Sequence, residues 1–238
     1  MNSFNYEGRD LEVLADMPNY YAWIMDLLGP HMHGRMIEYG SGTGTMTQLL
    51  LPRASSLIAV EPSSNLIPAL RARIGSHESV EIANESLETH VARQPEKSAD
   101  TIVMVNVLEH IEDDRNALRA LMRILTPGGS LLIFVPALQS LMSKLDEIHG
   151  HFRRYHRQDL ETKVRQAGGE VLSCSYFDAF GTVPWFILNR LLGSTGFNPS
   201  LVRFNDRYIV PLSRAIESRH KPPFGKNLVL VAHKPAMP

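Results

Sequence analysis

Cysteine is almost missing from this chain of 238 residues; Cys174 stands alone. No disulfide can close within one copy, and a reducing cytoplasm is the simplest setting. A surplus of either charge is missing too. Lys and Arg number 24 against 25 for Asp and Glu, for a formal net charge of −1. That balance gives no global reason to expect nucleic acid or an anionic membrane as partner. No apolar run approaches the ~20 residues of a spanning helix, so no stable membrane insertion is expected. The opening "MNSFNYEGRDLEVLADM" lacks a basic stretch followed by an apolar one, so it does not read as a signal peptide. Repeats and low-complexity segments are absent as well. What is present is 44% apolar residues, enough to bury one sizeable core. A single domain over residues 1–238 is expected.

Strand-like and helix-like segments alternate along the first half. "NYYAWIMDLL" (19–28) has the spacing of an amphipathic helix, ended by Gly29-Pro30. "RMIEY" (35–39) is a short buried strand, followed by a glycine-rich loop and the helix "TMTQLLL" stopped at Pro52. "SLIAVE" (56–61), "SVEIAN" (79–84), "ADTIVMVNV" (99–107) and "SLLIFVP" (130–136) continue the series of strands. Between them lie helices at "SNLIPALRARI", where Pro68 obscures the start, and "DDRNALRALMRIL" (113–125), with "TPGG" as a turn. "RQDLETKVRQAG" is a further helix, and "EVLSCSYF" (170–177) and "NLVLVAHK" (227–234) are the last strands. The pattern predicts an α/β fold, a doubly wound, mostly parallel seven-stranded sheet with helices on both faces. Two segments interrupt it, about 137–156 and 179–224. As insertions on the second half of the sheet they are expected to form a lid over a site at the strands' carboxyl ends.

The loop "MIEYGSGTGTMT" (36–47) places Gly40, Gly42 and Gly44 where the first strand turns into a helix. There the backbone must approach a ligand and offer its amides. The dinucleotide fingerprint is G-x-G-x-x-G, but here the third glycine comes one residue early. Glu38 precedes the loop and Glu61 ends the second strand. A carboxylate at that second place suits the two hydroxyls of a ribose. No basic residue lies between Met36 and Pro52. The site therefore suits a nucleoside with a positively charged substituent better than a diphosphate, and S-adenosylmethionine fits that description.

With these motifs the chain resembles a class I S-adenosylmethionine-dependent methyltransferase, which has a Rossmann-like fold, over nearly its whole length. "IEYGSGTG" is similar to the family's first motif and "AVEPSS" to its second. The resemblance implies S-adenosylmethionine as cofactor and S-adenosylhomocysteine as product. It implies a cofactor site of Glu38, Tyr39, Gly40, Ser41, Gly42, Gly44, Glu61 and Pro62. "NESLE" (84–88) sits at the family's adenine contact, which adds Glu85, Ser86 and Leu87. "VNVLEHIEDD" (105–114) is similar to the fourth motif and adds Asn106 and Val107 at the methionine end. "NYYAWI", "LDEIHGHFRRYHRQDL" and "PPFGKNLVLV" resemble a bacterial subgroup associated with glycan assembly and small-molecule pathways.

Methyl transfer is an in-line displacement with an excellent leaving group. Positioning and desolvation do much of the work, and an acidic acceptor proton needs a base. His110, His149 and His151 are candidate bases. His110 has the plainer role of orienting its loop, and the other two that of a surface loop. Tyr155 is a candidate hydrogen-bond partner of an acceptor oxygen, or simply packing. Arg153 and Arg154 are candidates to hold an anionic group of the acceptor, or to pair with Asp146 or Glu147 and order the lid. Tyr20, Tyr21 or Trp23 in "NYYAWI" stacks near the cofactor or packs in the core; Tyr21 and Trp185 join the acceptor candidates. "VPWFILNRLL" (183–192) reads as lid core, as a pocket wall for an apolar acceptor, or as a segment resting on a membrane surface. Asp146, Glu147, His149 and His151 are ligand types, but no second cluster completes a set, so no metal is expected. The function expected is methyl transfer to an oxygen, with nitrogen second, of a small-molecule or glycan-type acceptor. The alternatives are a non-catalytic cofactor-binding partner protein and a nicotinamide-dependent oxidoreductase.

Overall fold

The computed structural model describes residues 6, 13, 15–196 and 198–236; most of the stretch read above for a leader lies outside them. Helix α1 (Pro18–Leu28) leads into β1 (Arg35–Tyr39), α2 (Thr45–Leu50), β2 (Ser56–Val60), α3 (Ile67–Ile74) and β3 (Val80–Ala83). Then follow α4 (Leu87–Arg93), β4 (Ala99–Val105), α5 (Asp114–Ile124), β5 (Leu125–Pro136), α6 (Lys144–Ile148) and α7 (Arg157–Gln166). The chain closes with β6 (Glu170–Phe177), α8 (Ala179–Trp185), α9 (Pro199–Phe204), α10 (Val210–Glu217) and β7 (Asn227–His233). The seven strands run in the order β3-β2-β1-β4-β5-β7-β6. Only β7 is antiparallel to its neighbours.

Alternate residues of each strand face opposite ways, and the core divides accordingly. Ile37, Ile102 and Ile133 pack with Leu118 and Leu121 of α5 and Leu160 of α7. Met36, Val103 and Phe134 pack on the other face with Trp23 and Ile24 of α1. Tyr20 and Trp23 belong to this second layer, where both rings meet Phe177. Of the two roles open to "NYYAWI", these two residues take core packing.

Two local expectations change and two segments left without an element gain one. α3 starts at Ile67 with Pro68 in its first turn, where proline's missing amide is harmless. "TPGG" does not end a strand. β5 runs through it as a bulge, with Leu125 beside Ala99 and Ser130 beside Thr101, and Gly128 at φ +79° donates its amide to Lys234. The adenine segment opens the short helix α4, capped by Ser86. The second insertion is largely helical. α8 continues through a π-turn at Phe186–Leu191, and α9 joins α10 through another at Asn205–Ile209. Pro199 opens α9 behind an Asn198 cap.

Candidate active site

In an open α/β sheet, ligands sit beyond the carboxyl ends of the strands, where the strand order reverses. Here that point lies between β1 and β4, which are neighbours. Four loops follow β3, β2, β1 and β4 in spatial order. They carry Glu85 and Ser86, then Glu61, then the glycine loop, then Asn106 and Val107. The putting together of these residues follows from the topology alone.

The glycine loop is shaped from within. Gly40 and Ser41 donate their amides to the Val60 carbonyl at 2.8 and 3.1 Å, and Gly44 donates to Ser41 at 2.8 Å. The Gly42 amide donates to Glu61 Oε2 at 2.8 Å. These amides do not point outward as a phosphate cradle would require, which sets the loop further from a diphosphate site. Gly40 has φ +73°, and a Cβ there would stand 2.3 Å from Val107 Cγ2. Gly44 has φ +86° and caps α2. This accounts for the early third glycine: the left-handed residue falls where the helix begins. Glu61 is buried, and its other oxygen accepts from the Ser63 amide at 2.8 Å. Each carboxylate oxygen keeps acceptor capacity for a ribose hydroxyl. Asn84, not singled out in the sequence, braces this corner by donating to the Glu61 carbonyl at 2.8 Å. Asn106 sits at φ +54°, a strained conformation of the kind found at ligand sites. The residues present therefore fit a ribose-bearing cationic cofactor.

Several cofactor candidates have side chains engaged elsewhere. Glu38 is buried beneath the loop and accepts from Thr47 Oγ1 at 2.5 Å. Burial pushes its pKa up to about 7, against the pull of Thr47 and Ser41. Tyr39 points away, its buried hydroxyl 3.0 Å from His90 Nδ1, so only its backbone borders the loop. Leu87 belongs to the core. Glu85 pairs with Arg93, and Ser86 accepts from the Thr89 amide at 3.3 Å. Pro62 is half-buried beside Glu61.

The first insertion folds down onto the turn that follows β4. The Phe152 amide donates to the Glu109 carbonyl at 2.9 Å, and Arg153 reaches the Glu112 carbonyl at 2.7 Å. Helix α6 starts with Ser143 and Asp146 capping each other. Asp146 then collects His151 Nδ1 at 2.9 Å and Arg154 at 2.8 and 2.9 Å. Burial opposes its ionisation, yet His151, Arg154 and Ser143 hold its pKa down at about 2. An ionised carboxylate only accepts, so His151 Nδ1 carries a proton, and in the neutral ring the lone pair falls on Nε2. The His151 ring meets that of His110 at 4.6 Å, and that of His149 at 6.0 Å. His110 is reached by solvent, but the surrounding protein and the two neighbouring imidazoles lower its pKa to about 4.

Glu109 was passed over in the sequence. Both of its carboxyl oxygens are buried without a hydrogen-bond donor from another residue, and burial lifts its pKa to about 7. One donor atom each of Glu109, His110 and His151 lies within 4.8 Å of the others. This trio shares only His151 with the ligand types Asp146, Glu147, His149 and His151 noted in the sequence, and Asp146 is bound to Arg154. Adjacency to His110 was the available signal; burial was not visible in the sequence.

Two acceptor-side expectations are corrected. Tyr155 is fully buried, and its hydroxyl donates to Asp114 Oδ2 at 2.8 Å, so it cannot meet an acceptor. Arg154 is buried too, bound to Asp146 and the Ala137 carbonyl; it orders the insertion. Arg153 pairs with Asp114 at 2.6 Å. Trp185 lays its ring against the Arg154 guanidinium at 4.6 Å and donates to the Leu141 carbonyl. Tyr21 is half-buried at the rim of the α1 layer.

Comparison with known proteins bears on the same residues. A family model described as "Methyltransferase domain" matches residues 13–174. A ubiquinone biosynthesis O-methyltransferase of Xanthomonas euvesicatoria pv. vesicatoria is 30% identical over 102 residues, 42% of this chain and 41% of that protein. The matched part thus spans less than half the length of that relative. An S-adenosylmethionine-dependent methyltransferase from Mesorhizobium loti superposes with a TM-score of 0.65 at 14% identity, over 92% of this chain and 99% of that one. A Haemonchus contortus phosphoethanolamine N-methyltransferase, solved with phosphomonomethylethanolamine and S-adenosylhomocysteine, gives 0.62 at 14%, over 96% and 58%.

Proposed function

The chain belongs to the class I S-adenosylmethionine-dependent methyltransferase family, and from that premise we propose that it methylates an oxygen, with nitrogen second, of a small-molecule or glycan-type acceptor. Membership removes the nicotinamide oxidoreductase from the alternatives. One observation carries the choice of oxygen. His151 is held through Nδ1 by Asp146, with its other nitrogen available beside the end of the cofactor track. An oriented imidazole is of use where a hydroxyl must lose its proton as it attacks, and this step contributes about 10²–10⁴-fold in such enzymes. The name of the Xanthomonas relative points the same way.

When bound, the cofactor supplies an electrophilic methyl on a sulfonium. The chain's residues do the rest. Glu61 would hold the ribose, and the glycine loop would keep side chains away from the nucleoside. Asn106 and Val107 would border the methionine end. His151 Nε2 accepts the acceptor's proton while Asp146 stabilises the imidazolium so formed. His110 packs edge-on against His151 and fixes the ring. The first insertion acts as a lid and keeps water from the reacting centre.

A second reading is favoured by Glu109. Its two unmatched buried oxygens are relieved by a proton or equally by a divalent cation shared with His110 and His151. Metal analysis of protein purified without chelator separates the two: a stoichiometric divalent ion lost in the Glu109→Gln variant selects the cation.

The test of the main reading is mass-spectrometric detection of S-adenosylhomocysteine with a panel of phenols, sugars and amines. Turnover on a hydroxyl acceptor should drop about 10²–10⁴-fold in His151→Gln, with S-adenosylmethionine affinity unchanged in titration calorimetry. Undiminished turnover in that variant removes His151 as base. Absence of product with every acceptor class, despite cofactor binding, favours a non-catalytic partner role.

A further inference from the structure

The second insertion carries two stripes of apolar side chains that stand exposed among the described residues. On α8 and its π-turn, Phe180, Val183, Ile187 and Leu191 recur at helical spacing and are 45–63% exposed. From α9 to α10, Leu201, Phe204, Tyr208, Leu212 and Ile216 do the same at 39–57%. The opposite side of this second segment is the packed one. Val202 and Val210 join the α1 layer, and Asp206 is 3% exposed. These are not the lid core that "VPWFILNRLL" suggested. Side chains of this size in two long stripes are far more than the scattered apolar residues an ordinary surface shows.

The charges around the stripes are one-sided. Residues 179–224 contain Arg190, Arg203, Arg207, Arg214, Arg219 and Lys221 against Asp206 and Glu217. That is six cations and two carboxylates, +4, in a chain of formal charge −1, so the remaining residues carry −5. Both carboxylates are turned inward. Asp206 accepts from Asn19 and the Tyr20 amide, and Glu217 accepts from the Asp178 and Ala179 amides. Arg203 and Arg214 also make exposed pairs with Asp16 and Asp26, which moderates the patch without reversing it.

We propose that α8, α9 and α10 dock this protein on the surface of an anionic phospholipid bilayer, with the apolar stripes entering the interface and the arginines meeting the headgroups. Apolar side chains flanked by basic ones on surface helices are the composition of interfacial anchors. Clustered Lys and Arg are drawn to anionic leaflets. No helix among the described residues is long and apolar enough to cross a membrane, which agrees with helices lying on the surface. A second copy of the chain is a poorer occupant. A two-fold contact would set this arginine-rich face against itself. The separation of +4 from −5 also orients the molecule, turning the insertion toward the lipid and the acidic remainder away. The proposal stands whichever acceptor is methylated.

The experiment is vesicle co-sedimentation of the full chain. Vesicles of phosphatidylcholine with about one-third phosphatidylglycerol should bind it, and pure phosphatidylcholine at least about tenfold less. Binding should fall several-fold between about 0.1 and 0.5 M salt as the screening length contracts. The double variant Leu191→Glu, Leu212→Glu should lose at least about tenfold while keeping the parent's melting temperature. Where that variant melts early, Arg190→Glu with Arg207→Glu serves instead, with the same loss expected. Equal binding to both vesicle types overturns the proposal, as does undiminished binding by a folded variant. So does a parent that stays off anionic vesicles, including one that sediments as a dimer split by the Glu substitutions.

Discussion

Replacing Glu38 by Gln tests how the cofactor loop is built. The carboxyl is buried under Thr47 with its pKa raised by burial from 4.5 to about 7. Protonated, it is tolerated by its surroundings; ionised, it is a charge without a cation in a dry site. Between those two values the native state keeps a proton that the unfolded chain has released. Stability therefore falls as pH rises through that window and levels off above it. The interval from 4.5 to 7 corresponds to about 3 kcal/mol at 1.36 per unit. Gln keeps the size and an oxygen for the Thr47 hydroxyl but cannot ionise, so its chain lacks this slope. The difference in melting temperature between variant and parent, taken at each pH, cancels the other titrating groups. It should move in the variant's favour by about 6–12 °C from pH 4.5 to pH 8, on a scale of about 2–4 °C per kcal/mol. Differential scanning calorimetry across that range reads it. Two melting curves that stay parallel within about 2 °C would refute the argument, since the carboxyl would then be ionising as freely in the fold as outside it.

Three further outcomes follow from the geometry. Arg154→Ala strands Asp146 as a buried charge and should cost about 3–5 kcal/mol of stability by denaturant titration; an unchanged midpoint with a raised acceptor KM would return Arg154 to the acceptor site. Gly40→Ala forces a Cβ to within 2.3 Å of Val107 at φ +73°, and calorimetry should find S-adenosylmethionine binding about tenfold weaker or worse. Retained affinity would mean that the loop and Val107 part easily. Tyr155→Phe removes the hydroxyl from Asp114 and should lower stability by about 1–3 kcal/mol with kcat unchanged; a kcat loss exceeding the stability loss would restore a catalytic role.

The sheet was legible because its strands are apolar runs bounded by glycine, proline and charge. All seven occur in the expected order, "RMIEY" and "EVLSCSYF" match to the residue, and β5 alone starts well early, at Leu125 rather than Ser130. That Glu61, the glycine loop and Asn106 come together was legible because the loops after successive parallel strands must line one edge. What escaped depends on partners distant in sequence. Nothing in "YHRQDL" shows that the Tyr155 hydroxyl meets Asp114 across the fold; the pairing of Arg154 with Asp146 was one of the two roles read for it, but not that His151 joins the same carboxylate. The helices of the second insertion escaped for a local reason. Pro184, Pro199 and Pro211 read as breakers, although helices continue past them. Glu109 escaped because burial is a property of the whole fold.

β7 lies between β5 and β6, yet it is the last of the three to leave a ribosome. β5 then waits with an open edge for about 90 residues, which at about 5–20 residues per second is several seconds of synthesis. The half of the sheet that carries the cofactor loops, β1 to β4, is complete by Val105, before that wait begins. Vectorial folding should therefore set the nucleoside site first and the second insertion last, with the β5 edge as the place where a chaperone, or a neighbouring nascent chain, gains its hold.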